Sequence, residues 1–205
     1  WAENGQLEQQ INYKNEILDG ASILWYINGS KKNEINYRDG KLNGPFVHWY
    51  ENGQKQKEGY NIDGEKFGIY TYWFENGQKK EERTYSYGMW DGPSSVWFEN
   101  GQKMESGGYK DGLPHGIFVH WDEQGQKIEE GKYESGDREG LYTFWYSNGQ
   151  KHQERNYVNG LWEGPTTVWY ENGQKKKAGV NESGREHGKW TYWDRNGVKS
   201  KVEIG

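Results

Sequence analysis

Trp49-Tyr50-Glu51-Asn52-Gly53-Gln54-Lys55 is the stretch whose reading decides the fold, because the rest of the chain repeats it. The glycine recurs at Gly5, Gly29, Gly53, Gly77, Gly101, Gly125, Gly149, Gly173 and Gly197, each 24 residues after the last. Four residues before each stands a tryptophan: Trp1, Trp25, Trp49, Trp73, Trp97, Trp121, Trp145, Trp169 and Trp193. No insertion or deletion breaks that register. A fixed period of this length marks an array whose units touch mainly their neighbours. Residues 1–205 therefore read as one repeat domain of eight complete units and a partial ninth.

Composition agrees once the aromatics are counted. Leu, Ile, Val and Phe make only 31 of 205 residues, a level that with strong charge would point to disorder. The net charge is only -5, however, and 12 Trp, 16 Tyr and 6 Phe carry the burial that aliphatic side chains usually carry. Cysteine is absent, which excludes disulfides, thiolate metal sites and cysteine nucleophiles. The mild acidity argues against nucleic acid or an anionic membrane as partner, since both reward a basic face. No apolar run approaches the length of a membrane span. The chain begins at Trp1, inside a hairpin by the period, as expected of a protein that continues upstream. Its location is left open among cytoplasm, cell surface and secretion, with the cytoplasm favoured.

Within each period the segment before the turn is aromatic and β-branched, as in Phe46-Val47-His48-Trp49-Tyr50 and Tyr70-Thr71-Tyr72-Trp73-Phe74, which suits a strand. Asn-Gly then reads as a two-residue type I′ loop, with positive φ at both positions. The return strand is polar, as in Gln54-Lys55-Gln56-Lys57-Glu58. A second turn follows at Asp39-Gly40, Asp63-Gly64, Asp111-Gly112 and Asn159-Gly160, and a third glycine stands four residues later at Gly44, Gly68, Gly116 and Gly164. Two glycines around so short a connection predict a compact crossing with special backbone angles. No segment has helical periodicity. The expectation is an all-β chain: an elongated, solenoid-like single sheet of stacked 24-residue β-hairpins.

Alternation sorts the first strand of each unit into two faces. The tryptophan face is uniform, as a buried structural ladder would be. The other face varies, and it varies in order, because Gly68-Ile69-Tyr70-Thr71-Tyr72-Trp73 recurs as Gly140-Leu141-Tyr142-Thr143-Phe144-Trp145, 72 residues on. Phe46-Val47-His48-Trp49 likewise recurs as Phe118-Val119-His120-Trp121. Blocks of three repeats are thus duplicated in tandem. Either the duplication carries neutral differences along, or one surface feature is presented at every third hairpin.

The pattern Trp-aromatic-Glu-Asn-Gly-Gln-Lys, then Glu-Gly-x-Tyr and Asp-Gly-x-x-x-Gly, resembles the bacterial MORN-repeat variant often described as the toxin-antitoxin repeat. The match is best over Trp49 to Tyr72 and extends along essentially the whole chain. The resemblance implies hairpins stacked into a twisted single sheet. It also implies protein binding, including immunity or antitoxin components that neutralise a partner toxin. Departures fall at Gln124 for the turn asparagine, Tyr87 and Ser135 before the second turn, and Val198 for the glutamine near the end. Choline- or glucan-binding repeats of cell-surface proteins are similar in combining Trp, Tyr and Asn-Gly, although their period is shorter.

Candidate chemistry is sparse. The histidines His48, His115, His120, His152 and His187 show no metal-ligand spacing. Glu81-Glu82 and Glu129-Glu130 point to opposite strand faces. Asn61 to Gly64 is a calcium-loop fragment without its remaining ligands. No nucleophile elbow, P-loop or dinucleotide fingerprint occurs, so neither an enzyme nor a cofactor is expected. The expected function is a non-catalytic protein-interaction scaffold, with a carbohydrate- or choline-binding module as the alternative. The expected partner surface is the aromatic face: Phe46, His48, Tyr50, Tyr70, Tyr72, Phe74, Phe118, His120, Tyr142, Phe144 and Tyr146. Those rings either form a second hydrophobic layer or stand as an exposed patch.

Overall fold

The computed structural model describes residues 7–204. Trp1 and Gly5, the first members of the two series, lie outside the described residues. The chain divides into two compact units, Trp1–Gly101 and Gln102–Gly205. The first holds β1(Gln9–Lys14), β2(Ile17–Trp25), β3(Lys31–Arg38), β4(Lys41–Trp49), β5(Lys55–Ile62), β6(Glu65–Trp73), β7(Lys79–Ser86) and β8(Met89–Trp97). The second holds β9(Lys103–Lys110), β10(Leu113–Pro114), β11(Gly116–Trp121), β12(Lys127–Glu134), β13(Asp137–Trp145), β14(Lys151–Val158), β15(Leu161–Trp169), β16(Lys175–Glu182), β17(Arg185–Trp193) and β18(Lys199–Ile204). Within each unit the strands form an antiparallel sheet in sequence order, with β10 and β11 both paired to β9. Among the described residues there is no helix, as the aromatic and β-branched pattern predicts.

The type I′ geometry expected of the Asn-Gly turn is found at the second turn instead. At Asn52-Gly53, Tyr50 N donates to Gln54 O at 2.8 Å and Gly53 N donates to Tyr50 O at 3.0 Å, closing a three-residue loop. Only Gly53 in that loop has positive φ, at 84°. This is the type I turn followed by a left-handed residue and a bulge, not the type I′ loop. The bulge shows in the register, where His48 pairs with Lys57 but Trp49 with Lys55. Asparagine is used here for its side chain. Asn52 Oδ1 accepts from Gln54 N and its Nδ2 donates to Glu75 O of the following hairpin, both at 2.9 Å. Asn28, Asn76, Asn148 and Asn172 make the same link.

Type I′ geometry appears at the second turn, where Asp39 and Gly40 have φ of 48° and 79° and join the paired residues Arg38 and Lys41. Tyr87 and Ser135 keep this geometry, with φ of 44° and 50°. Gln124 and Val198 are also accommodated. In both repeats the preceding aromatic is an aspartate, and Asp122 and Asp194 each accept a backbone N–H of the loop, from Gln126 and Val198, at 2.9 Å.

The third glycine marks a bulged strand and not a crossing. Ile35 pairs with Phe46 and Tyr37 with Leu42, so Asn36 alone faces residues 43–45, and Gly44 takes φ of 109°. Asn36 Nδ2 staples the bulge by donating to Pro45 O at 2.8 Å.

The deepest core lies on the varied face. Phe46, Tyr70, Phe118, Tyr142 and Trp190 hold the same place in five repeats, and all are buried, Tyr142 to 1%. Edge-to-face and tilted contacts join Phe46 to Tyr70 in the first unit and, through Tyr133, Phe118 to Tyr142 in the second, with Tyr70 and Tyr85 centroids 4.9 Å apart and Tyr142 and Tyr157 centroids 4.8 Å apart. The tryptophan face corrects the expectation of a buried ladder. Trp49, Trp73, Trp121, Trp145, Trp169 and Trp193 are only part-buried, because each has one neighbour layer and a lysine over it.

Candidate functional site: an aromatic face with a basic cleft

A packing rule builds the varied face. Gly59, Gly107, Gly131 and Gly179 stand on the strand before Tyr70, Phe118, Tyr142 and Trp190, and a Cβ on any of them would enter the ring. Where the preceding residue is Arg83 or Arg155, the following one is Ser94 or Thr166. Each guanidinium then lies 3.9 Å from a ring centroid, Arg83 over Trp90 and Arg155 over Trp162. The three-repeat order therefore has a packing counterpart: two ring layers, resting on glycine except at Phe46, which stands opposite Ile35, then one arginine-on-tryptophan layer.

The eleven residues of the expected partner surface separate into three groups. Phe46, Tyr70, Phe118 and Tyr142 are core, and little of them reaches solvent. Tyr50 and Tyr146 are half-buried ties between hairpins, each hydroxyl donating at 2.8 Å to a carbonyl of the next repeat, Trp73 O and Trp169 O. His48, Tyr72, Phe74, His120 and Phe144 are half-buried, with part of each ring presented. Tyr142 and Phe144 stack with centroids 6.5 Å apart, so the presented ring rests on the buried one.

In the first unit the rings surround a cleft of about 210 Å³ lined by Ile35, Leu42, Phe46, His48, Lys57, Asn61, Lys66, Tyr70 and Tyr72. Tyr70 Oη donates to Asn61 Oδ1 at 2.7 Å and fixes the floor. Lys57 Nζ lies 6.0 Å from the Phe46 centroid, and Lys66 Nζ lies 5.0 Å from that of Tyr70 and 4.5 Å from that of Tyr85. Neither lysine forms an ion pair among the described residues; Lys66 meets phenol hydroxyls instead, donating to Tyr85 Oη at 3.3 Å and bonding Tyr72 as well. Glu81, opposite Tyr72 on the next strand, is paired with Arg83.

The equivalent place in the second unit is filled differently. Glu129 stands for Lys57, Arg138 for Lys66 and Tyr133 for Asn61. Arg138 Nη2 and Glu129 Oε1 pair at 2.7 Å, and Tyr133 packs 5.0 Å from Phe118, centroid to centroid. The two histidines follow suit. Burial and Lys57 lower His48 to a pKa of about 4. A hydrogen bond to Glu105, at 3.1 Å from His120 Nε2, raises His120. Burial holds one imidazole neutral, while its counterpart takes up a proton more readily than a free imidazole.

On the opposite face the cation–π position of the tryptophans is already taken. Lys31, Lys55, Lys79, Lys103, Lys127, Lys151 and Lys175 lie 5.3 to 6.0 Å from the ring centroids of Trp49, Trp73, Trp97, Trp121, Trp145, Trp169 and Trp193. A quaternary ammonium ligand would have to displace these internal lysines. His115 and His187 each sit near a glutamate, Glu134 at 3.5 Å and Glu182 at 3.3 Å, and no group of three or more His, Cys, Asp or Glu that could hold a metal occurs among the described residues.

Two features escaped the reading of residue types. Lys57 and Lys66 looked like ordinary strand lysines, and only the cross-strand partners reveal that no acid answers them. Phe67 and Tyr87 form an exposed edge-on pair, centroids 5.5 Å apart, where other repeats link the same places through polar groups such as Asn43 and Asp63.

The family described as MORN repeat variant matches residues 1–15, 42–60, 68–87 and 138–159. Three of these stretches run from the bulged strand through the three-residue loop into the return strand, and matched stretches fall in both units. No curated protein matches the chain.

Proposed function

We propose that the chain is a non-catalytic scaffold that binds a partner protein through the presented rings of the varied face, with Tyr72 and Phe144 as principal anchors. The observation that carries this reading is the seating of a presented ring on a buried one. Phe144 stacks on Tyr142, which is 1% exposed, and Tyr72 packs against the Phe46–Tyr70–Tyr85 cluster. Rings held in this way lose little entropy on binding, which is the property of an interface hot spot. MORN-type repeats support a binding role, and the acidity of the chain favours a protein over an anionic membrane. An immunity or antitoxin role is the specific form of this proposal and rests on the resemblance of the repeats.

The test is to replace Tyr72 and Phe144 together with serine and confirm the sheet by circular dichroism. Affinity is then measured for the partner that the unaltered protein retains from its source cell. Loss of about 2 kcal/mol or more per ring is expected of hot-spot anchors. Unchanged affinity on an intact fold would reject this face.

A further inference from the structure

The basic cleft of the first unit is more specific than a partner surface needs to be. Its two ammonium groups are held by aromatic rings and not by carboxylates, Lys57 over Phe46 and Lys66 over Tyr70 and Tyr85. Several lysines elsewhere in the sheet are answered by carboxylates. Lys31, Lys55, Lys79, Lys127 and Lys151 each bridge to a glutamate three residues along the same strand. The 72-residue counterpart is also neutralised, since Glu129 occupies the place of Lys57 and pairs with Arg138. The first unit thus leaves a localised positive charge above an apolar floor of Phe46 and Tyr70, while the second closes the same place with its own carboxylate.

We infer that this cleft binds a small carboxylate carried on a flat or slim apolar body, such as an arylalkanoate, with the carboxylate between Lys57 and Lys66 and the body against Phe46, Tyr70 and Tyr72. The Glu129 carboxylate of the second unit is the internal precedent for the anion. A volume of about 210 Å³ suits a ligand of roughly ten heavy atoms and is below the usual span of larger ligand pockets, about 300 Å³ upward. That size favours a free small molecule over a length of partner polypeptide. His48, neutral in this setting, adds no competing charge and offers an N–H or a lone pair at the rim.

The probes are 3-phenylpropanoate, its neutral isostere 3-phenylpropanamide, and the capped peptide acetyl-Phe-Glu-amide, each titrated into the whole chain and followed by NMR at the His48 and Tyr72 ring protons. The His120 and Phe144 rings serve as an internal control in the same sample. The carboxylate is expected to shift His48 and Tyr72 with a Kd on the order of 1 mM or tighter, to leave His120 and Phe144 unmoved, and to weaken with salt. The amide, which loses charge assistance from both ammonium groups, is expected to bind more weakly by about tenfold or more. Lys57→Gln is expected to cost a similar factor, and Lys57→Gln with Lys66→Gln more; retention of the thermal transition shows that the rings still pack. Equal binding of acid and amide would overturn the inference, as would unchanged binding by the double variant or equal shifts at His48 and His120. Tighter binding of the peptide than of the free acid would overturn the small-ligand assignment and return the cleft to a protein partner. None of these outcomes depends on identifying that partner.

Discussion

His120 Nε2 lies 3.1 Å from Glu105 Oε2, and this bond holds the imidazole above its ordinary pKa. A group whose pKa is raised on folding binds its proton more tightly in the native state. Its contribution is full below the unfolded value, about 6.5, and is lost as pH rises through the higher folded value. Glu105→Gln should therefore lower the melting temperature more at pH near 5.5 than at pH near 8. A melting difference independent of pH would show that the bond does not depend on the charge of His120.

His48 predicts the opposite slope. Its folded pKa, about 4, lies below the unfolded one, so the unfolded chain takes up the proton first. Stability contributed by the neutral ring is present above about pH 6.5 and is lost as pH falls towards 4. Proton NMR titration should place the His48 midpoint near 4 and that of His120 above about 6.5. Titration of the two rings at one common midpoint would contradict the different surroundings assigned to them.

Gly131 and Tyr142 should be strongly coupled. A methyl group at Gly131 enters the Tyr142 ring, so Gly131→Ala should cost about 1–3 kcal/mol as overpacking. Tyr142→Ala should cost about 3–5 kcal/mol as loss of a buried ring. In the Tyr142→Ala background the Gly131→Ala penalty should largely vanish, a non-additivity expected only for residues in contact. Lys79→Ala, which removes an exposed ion pair with Glu82, should stay within about 0.5 kcal/mol. Additive penalties at Gly131 and Tyr142, measured by denaturant unfolding, would contradict the ring-on-glycine rule.

The fold class was legible in the sequence because the hairpin period is exact in residue number, and aromatic strands between glycine turns admit no helix. Turn type was not, because Asn-Gly suits both a type I′ loop and the bulged three-residue loop. The latter goes with a contact outside the turn, the Asn52 amide bonding to Glu75 O of the next hairpin, and where Gln124 replaces the asparagine the Asp122 carboxylate caps the same loop. Alternation correctly placed Phe46 and Tyr72 on one face but could not say which ring is buried. That depends on Gly59, which lies under Tyr70 through the bulge at Gly68, where Glu58 pairs with Thr71 but Tyr60 with Phe67. The cleft was hidden for a similar reason. Lys57 is neighboured by His48 and Tyr72 across the sheet, and residue order alone does not show that neither neighbour is an acid.

Two exposed apolar residues allow the choice of face to be tested within single strands. Ile69 is 59% exposed on the tryptophan face of β6, and Leu141 is 57% exposed on that of β13, each three residues from the proposed anchors Tyr72 and Phe144. The most direct measurement is hydroxyl-radical footprinting of the chain with and without its bound partner, read by mass spectrometry at these four side chains. The proposed function predicts that Tyr72 and Phe144 become protected on binding while Ile69 and Leu141 keep their reactivity. Protection of Ile69 and Leu141 with Tyr72 and Phe144 unchanged would place the partner on the tryptophan face and contradict the account.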